Sequence, residues 1–228
     1  MASLVILANA RWDTEGRGGN SSQQYAIAGV RQGLKVSYIQ KDKVNHRTPL
    51  EEIELGPNTV VMCDMPWVDF YFGLFMKFKA LGCRTAYRIV DNWAMTRRRE
   101  EYSQEREEEF IRKADVVFAS HPLNMERFKH IREDIYLLRN GVDLDMLWQW
   151  QGLPPEDLVC GQPTTVFAAS FWDPSWVDWD ALRYAAEEIP DMALNIIGEA
   201  PRSAVEGLPK NVHLLGRKNW RELPAYFH

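Results

Sequence analysis

The amino-acid sequence predicts an α/β chain built on a doubly wound parallel sheet, and three observations carry that reading. Short apolar runs alternate with longer helical patterns from the first residues onward, the rhythm that a parallel sheet with covering helices requires. Of the 228 residues, 46% are hydrophobic and 26% charged, an ordinary globular composition far from disorder or collagen. No repeat of fixed period and no low-complexity tract interrupts the alternation, which excludes solenoids and propellers.

The first strand is Leu4 to Asn9, followed by a ten-residue loop, Ala10 to Gly19, that contains Gly16, Gly18 and Gly19. Asn20 to Gln32 reads as a helix that Asn20 or Ser21 can cap and Gly33 ends. Strand two is Val36 to Ile39, and a polar stretch with a short helix at Pro49 to Leu55 leads to strand three at Thr59 to Cys63. An aromatic helix from about Trp67 to Leu81 is stopped by Gly82, and Thr85 to Val90 is strand four. Arg97 to Arg112 mixes both signs of charge, including Glu105 to Glu109, and reads as a solvated helix face. Val116 to Ala119 is the fifth strand, Leu123 to His130 a helix, and Ile135 to Leu138 a sixth strand ending in the turn Asn140-Gly141.

The sequence LPPEDLVCGQP, Leu153 to Pro163, concentrates prolines as a linker does. The expected division is therefore a domain over residues 1–153, a linker over 154–163 and a second domain over 164–228. In that second domain a strand at Thr164 to Ala169 precedes a helix near Asp178 to Ile189 and strands at Leu194 to Ile197 and Val212 to Leu215. It has roughly half the ~100–150 residues of a common domain, so an incomplete one is expected.

Charge and cysteine content narrow the function. Lys plus Arg is 27 against 32 for Asp plus Glu, and the net charge of -5 argues against a protein that grips nucleic acid by its phosphates. Cys63, Cys83 and Cys160 form no CxxC pair, which excludes a disulfide scaffold and a thiolate zinc site and points to a reducing compartment. His46, His130 and His213 share no ligand spacing, so no metal is expected. Met1 to Ala8 is a short apolar run without a basic leader, and no apolar stretch reaches the ~18 residues of a membrane span, so the expected location is cytoplasmic.

Several residues could carry chemistry. The Gly16-Arg17-Gly18-Gly19 loop lies between a strand and a helix, where backbone N–H groups receive a phosphate or carboxylate, or the glycines simply let the loop turn. A dinucleotide fingerprint needs a tighter turn after the strand, and Asp42 alone keeps a nicotinamide site open. Asp91 follows strand four at the carboxyl edge where open α/β sheets place ligands, beside Asn92, Trp93 and Arg97 to Arg99, although such an Asp also serves as a cap. His121, in Ser120-His121-Pro122, either binds substrate or caps the next helix. Trp172, Trp176 and Trp179 stack a ligand ring or pack against the linker. Arg217 and Lys218 sit after the last strand, at a nucleotide's base or phosphate or in a solvated turn.

In order along the chain, GRGGNSSQQYAIAGVRQGLKVSYI, YRIVDNW, ADVVFASHPLNMERF, LLRNGVDLDMLW, TTVFAASFWDPSWVDWDALRYAAEEIPDMALNIIGEA and LPKNVHLLGRKNWRELPAYF resemble the GT-B glycosyltransferases. The similarity is to their retaining, glycogen-synthase-like group and its bacterial polysaccharide branch, and NGVD followed by an aromatic is its most specific element. The resemblance implies a GT-B-like pair of Rossmann-like domains with the second one partial, and transfer of a sugar from a nucleotide-sugar donor to a glycan or other acceptor without metal or cofactor. It matches Gly18 and Gly19 to a phosphate-facing loop, Asp91 to the polar residue near the reacting sugar, and Arg217 and Lys218 to the neighbourhood of the base.

Arg139 stands where the family has Pro before NGVD, and the Ser170-Phe171-Trp172 region lacks the Arg and downstream Lys that grip the diphosphate. The chain ends before the family's acidic glutamate motif, so an inactive binding or interaction module of the same origin is the alternative expectation. The expected partners are the nucleotide-sugar and the acceptor, with peripheral membrane contact, self-association or a complementing chain all compatible with an incomplete second domain.

Overall fold

The computed structural model describes residues 2–8, 21–39, 44–46, 50–64, 69–95, 102–141, 144, 147, 150–169, 171 and 177–227. They form two compact units that part between Gly141 and Val142.

The first unit is built on β1 (Ser3–Leu7), β2 (Lys35–Ile39), β3 (Val44–His46), β4 (Thr59–Cys63), β5 (Arg84–Ile89), β6 (Val116–Ala119) and β7 (Ile135–Leu137). Their order in the sheet is β3-β2-β1-β4-β5-β6-β7, parallel throughout except that β3 runs against β2. Strand order reverses at β1, which is flanked by β2 on one side and β4 on the other, so the topological switch point lies between β1 and β4. The helices are α1 (Ser21–Arg31), α2 (Asp69–Ala80), α3 (Gln104–Lys113) and α4 (Pro122–Phe128). Gly33 and Gly82 follow α1 and α2 with positive φ, where the sequence places both helix ends.

Period-two alternation sends Val5 and Leu7 of β1, Cys63 of β4 and Tyr87 of β5 to one face, where Phe75 of α2 and Phe110 of α3 complete the main core. Full burial of each such aromatic side chain stabilises the unit by ~1.5–3 kcal/mol. Ile6, Val36 and Tyr38 point to the opposite face and are covered by Ala26 of α1.

One expectation is corrected here. The charged segment does form a helix, and Arg112 pairs with Glu108 across one turn of it at the surface. Glu107 instead is 0% exposed, on the inner stripe with Phe110, Ile111 and Ala114. Its carboxylate accepts hydrogen bonds from Tyr87 at 3.1 Å and Tyr102 at 2.6 Å and lies 3.6 Å from Arg127. Burial pushes its pKa up, against the pull of Tyr102, Arg127 and Tyr87.

The second unit contains β8 (Thr164–Ala168), α5 (Trp179–Glu188), β9 (Ala193–Ile197), a short α6 (Arg202–Val205), β10 (Val212–Gly216) and α7 (Pro224–Phe227). Its sheet is parallel in the order β10-β9-β8. Ala186 of α5 covers Leu194 and Ile196 on one face. On the other face Ala225 and Tyr226 of α7 pack with Ile197, joined by Trp150 and Leu158.

The proline-rich stretch expected as a linker is thus packed on the second unit, and it is pinned there by Asn195 of β9. The Asn195 side chain, 0% exposed, accepts from the Val159 N–H at 3.1 Å and donates to the Val159 carbonyl at 2.9 Å and the Thr165 carbonyl at 3.3 Å. A side-chain amide here stands in for the ladder of a further strand, which suits a segment whose prolines cannot donate. Among the described residues no helix is long and apolar enough to cross a membrane.

Candidate functional site

In the first unit the carboxyl ends of the parallel strands gather the polar groups. Asp64 follows β4 directly and is 4% exposed, at the switch point. Tyr71 of α2 donates to the Ala8 carbonyl at 2.6 Å and fixes the end of β1 beside it. Arg88, near the end of β5, is 0% exposed. Its guanidinium donates through Nη2 to Oδ1 of Asn140, and its central carbon lies 5.2 Å from the centroid of the Tyr25 ring on α1.

Asp91 is half-buried two residues beyond β5. The chain just before it is held in place, because Ser120 Oγ donates to the Val90 carbonyl and Asn124 Nδ2 donates to the same oxygen at 3.2 Å. Burial pushes the Asp91 pKa up and Arg88 works against that push. Burial likewise raises the Tyr25 pKa, with Arg88 lowering it and Asp64 raising it. The same phenol therefore senses both Arg88 and Asp64.

His121 also stands at this edge, exposed, with Nδ1 accepting from the Leu123 N–H at 3.2 Å as the N-cap of α4. Gly18 and Gly19 lie outside the described residues. Among the described residues no group of three His, Cys, Asp or Glu side chains could hold a metal ion.

In the second unit Arg217 and Lys218 follow β10 at the carboxyl edge of its sheet. Lys218 forms an ion pair with Asp157, and Tyr226 donates to the other carboxylate oxygen at 2.8 Å. Those partners hold the Asp157 pKa down, Lys218 foremost. Gly198, at the end of β9, has φ +137° and touches its neighbours so closely that a Cβ would lie 2.1 Å from the Ala169 carbonyl oxygen.

Sequence reasoning reaches Asp91 and overlooks Asp64, Arg88, Asn140 and Tyr25. The signals exist: Asp64 follows an apolar run just as Asp91 does, and Arg88 interrupts the buried strand RTAYRI with a charge. Asn140 reads as a turn residue only.

No protein-family model matches the sequence, and no curated protein is similar to it at a significant level. Among solved structures the chain is similar to Anabaena Alr3699/HepE in complex with UDP-glucose, with 15% identity and a TM-score of 0.61 over 99% of this chain and 71% of that one. It is similar to an alpha-glucosyltransferase in complex with UDP and a 13-mer DNA containing an HMU base, with 13% identity and a TM-score of 0.61 over 97% of this chain and 68% of that one. A third likeness is to a point mutant of S. aureus TarM in complex with Fondaparinux, alpha-GlcNAc-glycerol and UDP, with 13% identity and a TM-score of 0.51 over 75% of this chain. The chain spans 35% of the length of TarM. At these identities the likeness is one of architecture, and that architecture, α/β and Rossmann-like in both units, is the fold of the GT-B glycosyltransferases.

Proposed function

We propose that the chain is a glycosyltransferase, or the larger part of one, that moves a sugar from a nucleotide-sugar to a glycan or other acceptor. In this reading transfer proceeds without a metal and with retention at the anomeric carbon, in the cytoplasm, for a cell-surface polysaccharide or glycoconjugate. The observation that carries the reading is the polar carboxyl edge of the first unit, with Asp64, Arg88 and Asp91 gathered on a fold shared with structures whose ligands are UDP and UDP-glucose. Asp91 faces the reacting sugar or the acceptor hydroxyl. Arg217 and Lys218 receive the donor's diphosphate or base, Gly18 and Gly19 approach its phosphates, and His121 is a further substrate contact.

Chemically, the acceptor oxygen bonds to the anomeric carbon as the bond to the diphosphate breaks, and the acceptor proton leaves to a base or to the departing phosphate oxygen. Cations and backbone N–H groups placed at the leaving diphosphate stabilise the charge that develops there. Calorimetry with UDP-, GDP- and ADP-sugars in the presence of a chelator tests the donor half. Binding of one of them is expected; strict dependence on added Mg²⁺ or Mn²⁺ would remove metal independence, and no binding of any would remove the donor assignment.

A second reading, a binding module of the same fold without catalysis, is favoured by one observation: Lys218 is already neutralised by Asp157. Hydrolysis of a bound nucleotide-sugar by the chain would exclude it.

A further inference from the structure

We propose that Arg88 is the positioning residue of the first unit's edge, supplying the counter-charge for Asp91 and fixing Asn140 in the segment that follows β7. The inference rests on the reading of this edge as the acceptor side, and adds a residue and a role to it.

A fully buried arginine is costly unless it is compensated, so what surrounds Arg88 is informative. Its place on β5 alternates with Tyr87 and Ile89, which belong to the main core, and so puts its side chain on the α1 face of the sheet. There it meets the Tyr25 ring and donates to Asn140, one residue before the point where the two units part. Asp91, three residues along the chain from Arg88, feels the guanidinium charge, and Asp64 after β4 acts on the same Tyr25 ring that Arg88 meets. One cation thus serves the carboxyl that follows its own strand and a side chain of the segment that follows β7.

The consequence differs from that of a merely structural arginine. Burial raises the Asp91 pKa, and the Arg88 guanidinium holds that rise back, because its charge opposes the desolvation of the carboxylate. Without Arg88, Asp91 loses the charge that opposes its desolvation, and Asn140 loses the guanidinium that donates to it.

The test uses the whole chain with ¹³C-labelled Asp carboxyls and NMR titration of wild type, Arg88→Met, Arg88→Lys and Asn140→Ala, alongside hydrogen exchange of amides 138–141. Arg88→Met is expected to move the Asp91 midpoint up by at least one pH unit, a tenfold change in its proton affinity, and Arg88→Lys to restore most of it. Asn140→Ala is expected to leave that midpoint unchanged while speeding exchange at 138–141 at least tenfold. An Asp91 midpoint unmoved in folded Arg88→Met, or unchanged exchange in Asn140→Ala, overturns the proposal. If Arg88→Met does not fold, Arg88→Lys and Asn140→Ala decide: exchange at 138–141 unchanged in both overturns it. These outcomes are independent of sugar transfer. Turnover unaffected by Asp91→Asn would instead remove the acceptor-side reading while leaving the electrostatic result intact.

Discussion

Replacing Asn195 by Asp changes a single NH₂ for an oxygen at the point where the proline-rich stretch is pinned to the second unit. Oδ1 can still accept from the Val159 N–H, but the second oxygen now faces the carbonyls of Val159 and Thr165, to which the amide donated at 2.9 and 3.3 Å. The donated hydrogen bonds are lost and a buried carboxylate is set against three carbonyl acceptors, that of Ala193 at 3.4 Å included, so the expected loss is ~3 kcal/mol at pH 7.5. At ~1.36 kcal/mol per pKa unit, that loss equals a carboxyl raised by about two units, to roughly pH 6 in the folded chain. A group whose folded pKa lies above its unfolded value contributes its stability at low pH and loses it as pH rises. About half of the loss should therefore return at pH 5. Urea unfolding at the two pH values measures the energies, and hydrogen exchange of the Val159 amide reports the local release. A loss below ~1 kcal/mol at pH 7.5, or an equal loss at both pH values, would refute the assignment of Asn195 as the pin.

Three further outcomes are expected. Asp157→Asn frees Lys218 from its ion pair and should tighten binding of a nucleoside diphosphate by roughly two- to fivefold, the worth of an exposed pair, while Lys218→Met should abolish the gain; calorimetry reads both. Asp115 accepts from Thr85 N–H at 2.8 Å and pairs with Lys79; burial raises its pKa, but these partners outweigh burial and leave it lowered. Asp115 therefore stabilises the first unit above the ordinary carboxylate range and ceases to do so as pH falls through its lowered value. Asp115→Asn should cost ~1 kcal/mol at pH 7 and nothing at pH 2, by urea midpoints. His121→Ala removes the cap of α4 and should cost ~1 kcal/mol of stability, and if nucleotide-sugar binding is unchanged in that variant the histidine is a cap alone.

How far the sequence reaches is clear from particular residues. The parallel strands are legible because each is an apolar run bounded by polar turns, and α1 and α2 because Gly33 and Gly82 mark their ends. β3 is not legible: Val44, Asn45 and His46 are three residues in a polar stretch, too short to show a period, and only pairing with Ser37 to Ile39 makes them a strand. Glu107 escapes because composition averages over a charged segment, while the spacing of Glu107, Phe110, Ile111 and Ala114 traces one helix face. The packing of 150–163 depends on Asn195, which is distant in sequence, and local composition carries no trace of it. The place of Asp91 at the carboxyl edge is legible because position after a strand is a local property. Arg88 and Asn140 meet only when β5 and β7 enter the same sheet.

The reversed direction of β3 bears on where the first unit can be altered. Because it runs against β2, it carries the chain back across the sheet, from the rim that holds Asp64 and Asp91 toward the rim where β4 begins at Thr59. The turns at this far rim, Asn58 before β4 and Asp115 before β6, stand a full strand length from the polar groups. A fluorophore, an affinity tag or a surface tether belongs there, and Gly56, beside which a Cβ would meet nothing within 4 Å, is a ready place to begin. A probe attached at that position reports on the unit while leaving the opposite rim clear for whatever it binds.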